Sequence, residues 1–102
     1  MKVSIIVPTY QDKNINKLLQ RLLEQKIDLE KIIVVACGYK DFPFLKDEKI
    51  TVIEEKERRG KAFAINTGLK NVDSEIVVVV SGDVLPKKDT IKNLLNHFQT
   101  QE

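Results

Sequence analysis

Three short apolar runs punctuate the chain, Val3–Val7, Ile32–Ala36 and Ile76–Val80. Each is rich in β-branched residues and bounded by turn chemistry, which predicts buried strands. A weaker run, Ile50–Ile53, sits between charged loops. Elsewhere the apolar positions recur with a helical period. Ile15, Leu18, Leu19, Leu22 and Leu23 share one helical face, with Asp12 or Asn14 placed to cap its first turn. From Asp89 onward Ile91, Leu94, Leu95 and Phe98 repeat that spacing, with Pro86 at or near the helix start. Lys61 to Asn71 reads as a third, less regular helix, because Gly68 lies near its end.

The predicted order is therefore strand, helix, strand, strand, helix, strand, helix. Strands apolar on both faces that alternate with helices imply an α/β chain, a mainly parallel sheet of about four strands with helices on both faces. Right-handed crossovers then carry all C-terminal strand ends to one rim, where such sheets bind ligands. Along that rim fall "VPTYQD", "ACGYKD" and "SGDVLP". Pro8 and Gly38 are expected to stop their strands and let backbone approach a ligand. Thr9, Tyr10, Asp41, Ser81 and Asp83 crowd the same edge with polar groups. One polar loop is ordinary; three at one end of a parallel sheet point to a binding site.

Composition narrows the class. A length of 102 residues suits one domain, and 42% apolar with 31% charged residues is the balance of a folded soluble protein. Seventeen basic and fifteen acidic residues are interspersed, for a net charge of +2, so no global field argues for nucleic acid. The mixed-sign "EEKERRGK" reads as a solvated loop. A lone cysteine, Cys37, excludes an internal disulfide and fits a reducing compartment. No stretch approaches the roughly 20 apolar residues that span a bilayer, and no signal-peptide pattern is present, which together point to the cytoplasm.

Several familiar sites are absent. No G-x-G-x-x-G follows a strand and no G-x-x-x-x-G-K-[ST] occurs. Cys37 and the single histidine, His97, fall far apart in the predicted fold, with His97 expected on the surface, so a thiol nucleophile is disfavoured. A phospho-acceptor domain needs an acidic pair after its first strand, where Pro8 and Thr9 stand.

"VSIIVPTYQD", "KIIVVACGYKD", "RRGKAFAINTGL" and "EIVVVVSGDVLP" together resemble the four successive signatures of family 2 glycosyltransferases, inverting, sugar-nucleotide-dependent enzymes of GT-A fold. The likeness covers nearly the whole chain, in order. It implies a three-layer Rossmann-like architecture, the nucleotide-binding half of a GT-A domain, with the first and last strands side by side. It implies a nucleoside-diphosphate sugar as ligand. Pro8, Thr9 and Tyr10 would pass close to the nucleoside, and Cys37, Gly38 and Asp41 would occupy the segment beside the base. Arg59, Gly60 and Lys61 would lie near the nucleotide, with Asn66 holding their helix to the sheet. Ser81 and Asp83 stand in place of the D-x-D pair. Asp83 would ligate a divalent metal, magnesium or manganese, that bridges the diphosphate and offsets charge on the leaving group.

Departures from the pattern shape the expectation. Ala36 and Cys37 replace an acidic pair whose second member usually bonds the uracil ring, and Ser81 replaces the first acid of D-x-D. The family's acceptor half and catalytic base usually follow the D-x-D by a long stretch, whereas this sequence runs only to Glu102. The expectation is thus a truncated nucleotide-binding half spanning residues 1–102, contributing to glycosyl transfer in a full-length enzyme. The competing expectation is a non-catalytic module for protein association. Either way Ile76–Val80 becomes an edge strand without a gatekeeping charge, which leads us to expect a homodimer paired through it.

Overall fold

The computed structural model describes the backbone of residues 1–41 and 44–100, and the side chains of these up to Leu95. The elements form in the predicted order: β1 (Val3–Tyr10), α1 (Ile15–Leu23), β2 (Leu29–Cys37), β3 (Ile50–Glu55), α2 (Lys61–Leu69), β4 (Ile76–Val79) and α3 (Thr90–Thr100). The strands make one sheet in the order β3-β2-β1-β4, with every pairing parallel. The first and last strands lie side by side, as expected. The expected surface position of the His97 side chain lies outside the described residues.

Burial explains why the apolar runs are continuous rather than alternating. From Val3 to Val7 every β1 side chain is buried, and β2 is buried from Ile32 to Cys37. Successive residues of a strand point to opposite faces, so both faces must be covered. On one face Ile5, Val7, Ile32, Val34 and Ala36 pack with Leu18, Leu19 and Leu22 of α1 and Ile91 of α3. On the other, Ile6, Ile33 and Val35 pack with Ala64 of α2. The result is the three-layer, Rossmann-like α/β arrangement.

Three local expectations are corrected. Pro8 does not stop its strand, since β1 continues to Tyr10. The carbonyls of Ile6 and Pro8 accept from Val80 and Gly82, so Pro8 presents its polar backbone towards the β4 side. Its missing N–H therefore costs a ladder bond only beyond Val79, where β4 has already ended. Neither proposed cap operates at α1, because Asn14 makes no side-chain cap bond and Asp12 is engaged elsewhere. Pro86 stands ahead of α3, which begins at Thr90.

Buried Gln25 instead ties α1 to α3. Its Nε2 donates to the carbonyls of Arg21 (3.1 Å) and Lys87 (2.8 Å), and its Oε1 accepts from the Ile91 N–H (3.1 Å). One amide thus satisfies an otherwise orphaned N–H in the first turn of α3. Arg21 adds a bond to the Pro86 carbonyl at 3.2 Å. Gly68 explains the irregular face of α2. A Cβ there would lie 2.6 Å from Cγ2 of Ile6, so the helix approaches β1 more closely than any side chain permits.

Two stability outcomes follow. Gly68→Val should lower stability by about 1–3 kcal/mol through overpacking against Ile6, read as a lower denaturant midpoint. Gln25→Ala should cost about 1–3 kcal/mol by leaving the Ile91 N–H and the Lys87 carbonyl unpaired, with a lower Tm in a thermal melt.

Candidate functional site

Parallel register sets the first feature of the rim. Tyr10 pairs with Cys37, and Cys37 pairs with Glu55, so these three residues form a row across β1, β2 and β3 on the α2 face. Above the row opens a cleft of about 250 Å³. Pro8, Thr9, Tyr10 and Asp12 line it from β1 and the turn that follows. Val35, Cys37 and Glu55 line it from β2 and β3. Arg58, Arg59, Gly60, Lys61 and Ala64 contribute from the entry of α2, and Ser81, Gly82 and Asp83 from the loop after β4.

Most residues expected at the site therefore converge: Pro8, Thr9, Tyr10, Cys37, Arg59, Lys61, Ser81 and Asp83. Gly38 and Asp41 do not. They line a separate depression with Tyr39 and Lys40, because the chain turns at Gly38, whose φ of +82° suits glycine. Gly38 still abuts the cleft wall, since a Cβ on it would meet Cε1 of Tyr10 at 3.0 Å. Asn66 lies in α2, whose contact with the sheet runs through Ala64 and Gly68.

A closed hydrogen-bond ring fixes the β1 turn. The Asp12 N–H donates to the Tyr39 hydroxyl (2.7 Å), and the Thr9 hydroxyl donates to Asp12 Oδ2 (2.5 Å). The remaining Thr9–Tyr39 contact, at 2.6 Å, then has the Tyr39 hydroxyl donating to Thr9 Oγ1. The Tyr10 N–H adds a second donor to Asp12 Oδ2 at 3.2 Å. Gly82 rests on this ring: a Cβ there would overlap Asp12 Oδ2 and Thr9 Oγ1, and its N–H donates to the Pro8 carbonyl at 3.0 Å. The β1 turn and the loop bearing Asp83 are thereby locked together without an intervening side chain.

The cleft carries both signs of charge. The Arg58 guanidinium stacks over the Tyr10 ring at 4.1 Å from its centroid, while Arg59 lies 5.1 Å from the Phe63 centroid and 3.6 Å from Glu57. Gly60, with φ of +95°, opens α2 at the cleft wall without a side-chain cap, which leaves first-turn N–H groups without a side-chain acceptor there. Asp83 is exposed and Asp12 half-buried, on either side of Gly82. Glu55 is half-buried, with its Oε2 shielded from solvent and without a hydrogen-bond partner among the described residues. No group of three His, Cys, Asp or Glu side chains converges among the described residues.

Sequence reasoning missed Asp12, Glu55 and Arg58 as site residues. Asp12 read as a helix cap, although its place three residues after Thr9 also suits a side-chain bond back to the turn. Arg58 adjoins the expected Arg59. Glu55 had no local signal; only the β2–β3 register brings it beside Cys37.

No helix among the described residues is long and apolar enough to cross a membrane. The chain is similar to YfnE, an uncharacterized glycosyltransferase of Bacillus subtilis strain 168, at 31% identity over all of this chain and 28% of that relative's length. Among solved structures, it is similar to the mannosyltransferase PcManGT of Pyrobaculum calidifontis in complex with GDP-Man and Mn2+. That likeness has a TM-score of 0.76 and 35% identity, covering 91% of this chain and 31% of that one. Residues 1–349 of S. aureus TarS in complex with UDP-GlcNAc match with a TM-score of 0.76 and 25% identity, over 98% of this chain and 32% of that one. The chain thus spans about a third or less of each of these proteins. The family model described as glycosyl transferase family 2 matches residues 4–102, and the chain belongs to that family.

Proposed function

We propose that the rim cleft binds a nucleoside-diphosphate sugar together with a divalent metal, as the nucleotide-binding part of a glycosyl transfer enzyme. One observation carries the reading: three rim loops converge on a single cleft that joins a stacking surface to a cationic cradle and an exposed carboxylate. Tyr10 and Arg58 offer the stacking surface for a base. Arg59, Lys61 and the uncapped first turn of α2 face the diphosphate, where positive charge and backbone N–H groups favour an anion. Thr9 and Pro8 hold the nucleoside wall, and Cys37 its floor. Asp41, in the neighbouring depression, takes no part in this reading.

The donor set suits a magnesium- or manganese-class ion. Such ions take hard oxygen ligands and are commonly held by one or two carboxylates plus substrate phosphates. Asp83 would hold the metal, with the diphosphate supplying further oxygens. When bound, the metal would neutralise charge on the departing nucleoside diphosphate. PcManGT with GDP-Man and Mn2+ and TarS with UDP-GlcNAc support the same reading by likeness. The competing role, protein association without nucleotide, draws on Ala36, Cys37 and Ser81, which stand where the family pattern has acids.

Calorimetric titration of nucleoside diphosphates with and without manganese separates the two roles. The parent should bind more tightly with metal. Asp83→Ala should lose that gain, about tenfold or more at the ~1.5–3 kcal/mol typical of contacts to charged groups. Its Tm should stay unchanged, since the side chain is exposed. Equal metal dependence in the variant removes Asp83 as the ligand, and a parent that binds no nucleoside diphosphate favours the association role.

β4 ends the sheet, and Val79 on it is 40% exposed, so we propose that the 102-residue chain pairs through this edge with its own copy. Light scattering should report a dimer at micromolar concentration, and Val79→Lys should return it to monomer. A monomeric parent rejects the pairing.

A further inference from the structure

We propose that Glu55 reads the nucleobase and that it selects guanine. The inference rests on the nucleotide-binding role proposed above and adds which base the cleft takes. The row Tyr10–Cys37–Glu55 runs from an aromatic ring, across a small thiol, to a carboxylate. Val35 and Ala64, both buried, extend the apolar floor beside Cys37. A planar heterocycle resting on that floor next to the Tyr10–Arg58 stack turns its edge towards Glu55.

Glu55 is free to serve such an edge. The two arginines nearest in sequence are engaged elsewhere, Arg58 on Tyr10 and Arg59 with Glu57 and Phe63. Glu55 Oε2, shielded from solvent, meets no donor among the described residues. A carboxylate oxygen in that state is destabilising unless a ligand donor reaches it. Glu55 lines the cleft, and a change of its χ1 or χ2 rotamer would turn both oxygens towards it.

The chemistry of the edge then decides the base. An ionised carboxylate only accepts hydrogen bonds, and it accepts two parallel ones from a donor fork. Guanine offers such a fork, with its ring N1–H beside its 2-amino group. Uracil offers a single N–H flanked by two carbonyls that repel the second oxygen. Adenine and cytosine set an amino group beside a ring nitrogen that is itself an acceptor. Guanine alone matches both oxygens.

The test uses the 102-residue chain with manganese and the diphosphates of guanosine, uridine, adenosine, cytidine and xanthosine, measured by calorimetry. For the parent, guanosine diphosphate should bind at least about tenfold more tightly than the others, the usual discrimination of a bidentate base contact. Glu55→Gln replaces one acceptor by a donor at nearly constant shape. It should reverse the preference towards xanthosine diphosphate, whose 2-oxo group accepts where guanine's amino group donates. A structural role for Glu55 would move all five affinities together and so overturn the assignment. Equal binding of all bases by the parent, or a guanine preference that survives Glu55→Gln, also overturns it while leaving nucleotide binding intact. A parent that binds none of the five overturns both readings.

Discussion

The parallel pairing of β1 with β2 is the constraint on which the rest of this molecule depends. Their ladder runs from Val3 with Leu29 to Tyr10 with Cys37, and nearly every side chain along it is buried. Two strands buried on both faces must have helices on both sides, which places α1 and α3 against one face and α2 against the other. Parallel direction then delivers every loop that follows a strand to the same rim. No loop has to be aimed individually. The cleft exists because three strands end side by side and α2 begins beside them.

Close backbone approach does what side chains cannot do at two points. Gly68 lets α2 settle on Ile6, which lowers the helix onto the sheet under the cleft floor. Gly82 lets the loop after β4 rest on Thr9 and Asp12. The ring of bonds among Thr9, Asp12 and Tyr39 gives that loop a rigid bed, since its hydroxyl and N–H protons each have an acceptor within it. Asp83 is therefore exposed yet anchored by its neighbour. A carboxylate held this way needs little reordering to meet a cation, which favours binding through a smaller entropic cost.

Charge in the cleft is divided by position. Arginine and lysine gather where the chain enters α2, whose N-terminal dipole has the same sign. Of the three carboxylates that line the cleft, Glu55 stands on β3, while Asp12 and Asp83 lie by Gly82 beyond β4. A ligand that carries a donor edge, a central anion and a metal-binding tail would match that sequence of signs. Cys37, buried at the centre of the row, keeps the floor apolar, where a further carboxylate would have to be desolvated.

By itself the sequence determined the element order, the sheet type and the rim. Continuous β-branched runs such as Val3–Val7 can be buried only on two faces, and helical periodicity between them leaves few topologies. Most of the cleft was legible for the same reason, because Pro8, Thr9, Tyr10, Ser81 and Asp83 follow directly on such runs. Pro8 misled as a strand stop, since whether a missing N–H matters depends on which neighbour it faces. Gln25 gave no signal, because its three partners span Arg21 to Ile91. Gly68 looked like a weak helical position until its contact with Ile6 was visible. Glu55 and Asp12 became site residues through cross-strand register and a turn bonded to Tyr39. Local pattern reports how each segment buries its own surface; only the tertiary structure decided which segments meet, because strand register and close backbone approach are set between residues far apart in the chain.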